Sequence, residues 1–127
     1  MPIISHASIK KITLPEVGVV HQTIAGRKHG SRTVEIWMQA ATLNSATPLH
    51  YHDCEEIVIV LRGEGWVMIN GKKTNFGPGT TIIVEPKVVH QMKNTGSDEM
   101  FVIAVLSSRT PKTYFPDGKL MPLPWAD

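Results

Sequence analysis

His50, His52 and Glu56 fall within seven residues of one another, two imidazoles and a carboxylate, and His90 offers a further imidazole downstream. Successive side chains of an extended strand alternate faces, so His50 and His52 point the same way, Glu56 shares their parity, and Tyr51 points the other way. Three metal-ligating groups are thus expected on one side of a sheet, with Tyr51 outside the site. Neutral imidazoles suit Zn, Cu, Fe and Ni, and a carboxylate adds a hard anionic oxygen that extends the range towards Fe(II) and Mn. Three nitrogens and one oxygen on a rigid wall leave an octahedral ion about two open positions, enough for a substrate with two oxygens or for O2. The expectation is one divalent transition metal ion per chain, Fe, Mn, Ni, Zn or Cu.

The elements that must position these groups read as strands. Gly, Pro and Asn recur at short intervals between segments rich in Val, Ile and Thr, the punctuation of an all-β chain. Ile9 to Leu14, Val17 to Ala25, Thr33 to Leu43, Trp66 to Ile69, Lys72 to Phe76, Thr80 to Val84, Val88 to Lys93 and Met100 to Ser107 are strand candidates. Asn70-Gly71 is a two-residue hairpin signal. Ile57 to Leu61 is apolar at both parities, which predicts a strand covered on both faces. Four prolines after Arg109 exclude a regular element there, so an extended tail pinned by Tyr114, Phe115 and Trp125 is expected.

The order His50-x-His52, three residues, Glu56, six residues, Gly63 resembles the first motif of the cupin superfamily. Gly79, five residues, Glu85-Pro86-Lys87, two residues, His90, three residues, Asn94 resembles the second. The resemblance runs from about residue 44 to 63 and from about 79 to 94, and it implies one cupin-like domain over residues 1–127. The implied fold is a double-stranded β-helix, or jelly-roll, barrel with His50, His52, Glu56 and His90 as metal ligands pointing into its lumen. Three motif positions differ: Asn44 stands for glycine, Glu85 for proline and Lys87 for glycine. Asn44 can still take a left-handed conformation, and a locally altered bend is expected before His90.

Gln39, Trp66 and Arg109 are the candidate substrate contacts: Gln39 and Trp66, with Trp37, as lining of the barrel mouth, and Arg109 as a bidentate partner for a carboxylate. Glu56 is the one ligand that can also vary its binding mode during a reaction. His6, His21 and His29 lack partner patterns and read as ordinary, partly exposed polar residues. Cys54, the single cysteine, excludes an intrachain disulfide, fits a reducing compartment and reads as a small buried hydrophobe.

Thirteen Lys and Arg against eleven Asp and Glu give a net charge of +2, with no dense basic face for nucleic acid. The longest apolar runs fall far short of a bilayer span, and no signal peptide is visible, so a cytoplasmic protein is expected. The resemblance implies a homodimer, and apolar surface left by Ile57 to Leu61 points the same way. The function expected is metal-dependent catalysis on a small oxygen-rich molecule, of dioxygenase, lyase or isomerase type. The alternative is a barrel that binds or senses such a molecule without turnover. A storage role fits less well, because a carboxylate buried among apolar strands needs a cationic partner.

Overall fold

In the computed structural model, which describes residues 1–126, alternating burial along the apolar strands organises the chain. β10 (Met100–Leu106) alternates without a break, burying Met100, Val102, Ala104 and Leu106 and turning Phe101, Ile103 and Val105 outward. β5 (Glu56–Arg62) does the same with Glu56, Val58 and Val60 inside. Period-two alternation is what a sheet with one covered face requires. These two strands pair antiparallel at the centre of a six-stranded sheet ordered β1-β2-β3-β10-β5-β8, whose other members are β1 (Ile12–Leu14), β2 (Val19–Ala25), β3 (Glu35–Ala41) and β8 (Thr80–Val84). A smaller sheet of β7 (Lys72–Phe76), β6 (Gly65–Ile69) and β9 (His90–Asn94) faces it, and β4 (Tyr51–His52) pairs with β11 (Thr113–Tyr114). The result is the expected jelly-roll barrel. Among the described residues no helix is long and apolar enough to cross a membrane.

Turn chemistry follows the sequence closely. Asn70 and Gly71 both have positive φ, 51° and 79°, as the tight hairpin between β6 and β7 requires. Asn44, where the first motif has glycine, takes φ 63°. Lys87, where the second motif has glycine, takes φ 65°, and its amide donates to the His52 carbonyl at 2.8 Å. The bend before His90 therefore keeps a left-handed residue in spite of the lysine, with a steric cost of about 1–2 kcal/mol that glycine would not incur. Lys87→Gly is expected to stabilise the fold by about 0.5–1 kcal/mol, after discounting the extra freedom of glycine when unfolded, and a urea titration measures it.

One expectation is corrected. The tail is not wholly irregular: between Pro111 and Pro116 it forms β11, because Thr113 and Tyr114 have free backbone groups that pair with His52 and Tyr51. Within one chain β5 is covered on its inner face, where Val58 and Val60 are buried, whereas Ile57 and Ile59 are half-buried and Leu61 is 49% exposed. The tail is pinned as expected, with Tyr114 stacked on Tyr51 at 5.2 Å and Trp125 stacked on His21 at 3.6 Å between ring centroids.

Candidate metal centre

Main-chain pairing brings the ligand-type side chains together. His50 and His90 form a reciprocal antiparallel bridge, the amide of His50 donating to the His90 carbonyl at 3.1 Å and the amide of His90 to the His50 carbonyl at 2.9 Å. Residues paired in this way project side chains to one face of the sheet, and the two rings lie 4.3 Å apart. His52 follows at matching parity, 5.0 Å from His50 and 5.5 Å from His90 between centroids. Glu56 enters from β5 in the opposing sheet. Its Oε1 lies 3.1 Å from His90 Nε2 and 3.5 Å from His52 Nε2.

The outer nitrogen of each ring is anchored. His50 Nδ1 donates to the Pro48 carbonyl at 2.6 Å and His90 Nδ1 to the Val88 carbonyl at 2.9 Å. Carbonyls only accept, so Nδ1 carries the proton in both rings, and in the neutral form Nε2 offers a lone pair. His52 Nδ1 is held by Thr113 Oγ1 at 3.0 Å, while its Nε2 is buried and makes no hydrogen bond. One ligating nitrogen from each of the three rings lies within 4.8 Å of the others. Two donors each about 2.1 Å from one ion are at most about 4.2 Å apart, so small ring rotations close the set around a cation. An orphaned buried nitrogen, anchored partner atoms and an adjacent carboxylate together fit a metal ion.

The electrostatics agree. Burial, assisted by the neighbouring imidazoles, pushes His50 down to about 4, so its ring is neutral and available as a ligand at neutral pH. Burial opposes charge on Glu56 and on His90, yet their contact, with His52 Nε2 3.5 Å from the same carboxylate, outweighs it. The carboxyl is held below the usual range and His90 is raised. Thr113 was not legible as a site residue: nothing in a proline-rich tail marks a buried threonine as the partner of a histidine sixty-one positions away. Fixing a ligating imidazole through its second nitrogen typically matters 10–100-fold for metal affinity. Thr113→Val is expected to weaken metal binding by about that factor without unfolding the barrel, as read by competition with a chelator.

The cluster lines a cavity of about 270 Å³, walled also by Trp37, Val58, Met92, Phe115 and Trp125 among others. Gln39 lines it as expected, its amide nitrogen 3.0 Å from His21 Nδ1. Trp37 is buried with its ring 5.8 Å from His52, edge to face. Trp66 and Arg109 do not line the cavity. Trp66 has the opposite parity to the buried Val67, lies on the outside of β6 and carries Lys73 Nζ 4.5 Å above its ring, while Arg109 is exposed beyond the end of β10. Cys54 packs in the core, and burial pushes its thiol up to about 11, so the free thiol is protonated at neutral pH, and it lies outside the histidine cluster.

His21 departs most from its expected exposure, being 0% exposed. Burial pushes it down to about 3, and it holds Trp125 against the cavity. The unfolded chain takes up a proton at this position from about pH 6.5 downward and the native chain does not, so its contribution is present above pH 6.5 and lost as pH falls towards 3. Stability is expected to decline by up to about 1.4 kcal/mol per pH unit between these limits from this residue. His21→Gln is expected to reduce that slope in urea titrations at successive pH values.

Comparison with known proteins adds the following. A family model described as "Auxin binding protein" matches residues 3–126. Auxin-binding protein 1 of Arabidopsis thaliana is 35% identical over 116 residues, 83% of this chain and 58% of that protein. Auxin-binding protein T85 of Nicotiana tabacum is 36% identical over 117 residues, 83% of this chain and 63% of that protein. The chain thus spans about six-tenths of the length of these curated relatives. An RmlC-like cupin from Shewanella frigidimarina superposes with a TM-score of 0.71 at 15% identity, covering 83% of this chain and 88% of the other. At that identity the likeness concerns the fold.

Proposed function

Because this chain belongs to the auxin-binding protein family, a family of cupins, we propose that it binds a small organic carboxylate at a metal ion held by His50, His52, Glu56 and His90. The observation that carries the reading is the convergence of three anchored imidazoles and one carboxylate in the lining of a mostly apolar, tryptophan-walled cavity. A divalent ion bound there supplies a positive centre for an anionic oxygen in surroundings of low dielectric. Pro48, Val88 and Thr113 fix the rings, Glu56 balances part of the charge, and Trp37, Met92, Phe115 and Trp125 take the ligand's apolar body. Gln39, also in the lining, adds one polar contact. The names of the plant relatives, which bind auxin, support a binding role.

The test titrates metal-loaded and metal-free protein with phenylacetate and with neutral 2-phenylethanol, following tryptophan fluorescence and heat. The acid is expected to bind the loaded protein at least about tenfold more tightly than the alcohol, the weight of one charge-assisted contact of about 1.5–3 kcal/mol. Equal affinities, with and without metal, would refute the reading.

A catalytic reading has one observation in its favour. The titratable groups lining the cavity are the four ligand residues and Glu16, so a reaction there would run at the ion, as isomerisation, decarboxylation, elimination or addition of O2. Metal analysis with O2 uptake against diketones, thiols and hydroxy acids separates this from binding alone.

A further inference from the structure

Outside the metal cluster, the polar lining of the cavity is short of donors. No lysine or arginine lines it among the described residues. The indole N–H of Trp37 is held by Glu35 Oε2 at 2.6 Å, and Trp125 Nε1 is buried without a partner, so neither donates into the cavity. Gln39 offers an acceptor. Its amide nitrogen donates to His21 Nδ1 at 3.0 Å, and His21 Nε2 donates in turn to Thr23 Oγ1 at 2.8 Å. His21, pushed down to about 3 by burial, is neutral at neutral pH and has one nitrogen to accept and one to donate. The amide is thereby turned so that Oε1, which makes no hydrogen bond and is not enclosed, is left open. Glu16 is exposed yet part of the lining, which places it where the cavity meets solvent.

We propose that the carboxylate bound here also carries an ammonium group, Gln39 Oε1 accepting one of its N–H bonds and Glu16 supplying the opposing charge. The proposal rests on the carboxylate-binding reading above and narrows it to amino acids, with amine and carboxylate on one apolar body. Charge balance points the same way. A divalent ion, the Glu56 carboxylate and one ligand carboxylate together are neutral, so Glu16 is left as an unmatched negative charge beside the cavity. An ammonium group matches it and brings the donors that the wall lacks. A second carboxylate on the ligand would find no cation in the lining and would face Glu16. Selectivity then comes from a repulsive element as well as an attractive one.

Metal-loaded protein is titrated calorimetrically at low salt with phenylacetate, with 3- and 4-(aminomethyl)phenylacetate and with 1,4-phenylenediacetate. At least one of the amines is expected to bind about fivefold or more tightly than phenylacetate, and the diacid more weakly than phenylacetate. Glu16→Gln is expected to shrink the ratio of amine to diacid affinity by about two- to fivefold, the range for one exposed charge pair, and Glu16→Lys to shrink it further. Gln39→Leu is expected to shrink the ratio of amine to phenylacetate affinity. Should that variant fail to fold, the two Glu16 variants decide, since Glu16 is exposed on a turn. Phenylacetate that binds the loaded protein as tightly as both amines overturns this proposal and leaves the carboxylate reading standing. A diacid preferred over the amines, or a ratio unchanged in both Glu16 variants, overturns it likewise. No metal-dependent binding of any of the acids overturns both.

Discussion

His50→Ala and His90→Ala are each expected to lower bound metal from about one ion per chain to a small fraction of that, with the barrel still folded. Each removes one of the three clustered imidazole nitrogens. The remaining donors then form an incomplete set, too weak to compete with a mild chelator. The fold survives because the bridge between residues 50 and 90 is made by main-chain groups that alanine retains. Metal analysis after gel filtration, paired with circular dichroism, is the measurement. Full metal content in both variants would dismiss the four-ligand centre. Retention in one alone would remove that histidine from it.

Asn94→Ala is expected to be the most damaging of the polar substitutions for stability, at about 2–4 kcal/mol. The residue is 1% exposed. Its amide nitrogen donates to the carbonyls of Ala41, Thr42 and Asp98 at 3.1, 3.2 and 3.0 Å, and its Oδ1 accepts from the Gly96 amide at 3.0 Å. One side chain therefore joins the end of β9, the end of β3 and the turn that follows. Alanine leaves those backbone groups without it, and each buried unsatisfied group costs about 1–3 kcal/mol. Asn94→Asp is expected to be at least as harmful, because it sets a carboxylate oxygen against three carbonyls. Urea unfolding measures both, and losses below about 1 kcal/mol would show that water replaces the network.

What could be read from the sequence followed strict periodicities. Parity alone grouped His50, His52 and Glu56 and set Tyr51 apart, and in the structure Tyr51 stacks on Tyr114 outside the cavity. The Asn70-Gly71 hairpin and the alternation of β10 were equally plain, since local conformation decides both. Thr113, His21 and the position of Trp66 were less accessible for a common reason. Thr113 reaches His52 only through pairing of the tail with β4, and His21 is buried because Trp125 folds back onto it. Trp66 faces outward because of the register β6 adopts. Long-range contacts of this kind leave no periodic trace near the residue concerned. Arg109 lies beyond the end of β10 at Leu106, exposed and outside the cavity lining.

The alternation along β5 also limits how this chain can change length. Glu56 and Ile57 are neighbours in sequence and occupy opposite sides of one wall, the carboxylate among imidazoles and the isoleucine on the outer surface. Deleting a single residue between Glu56 and Val60 would turn part of the strand inside out, sending its buried valines outward and drawing Ile57 or Ile59 into the interior. Substitutions along β5 can be accommodated one at a time, whereas an insertion or deletion there disturbs cavity and exterior together. Tolerated changes of length are therefore confined to the loops, and the spacing from Glu56 to Gly63 is fixed by the wall itself.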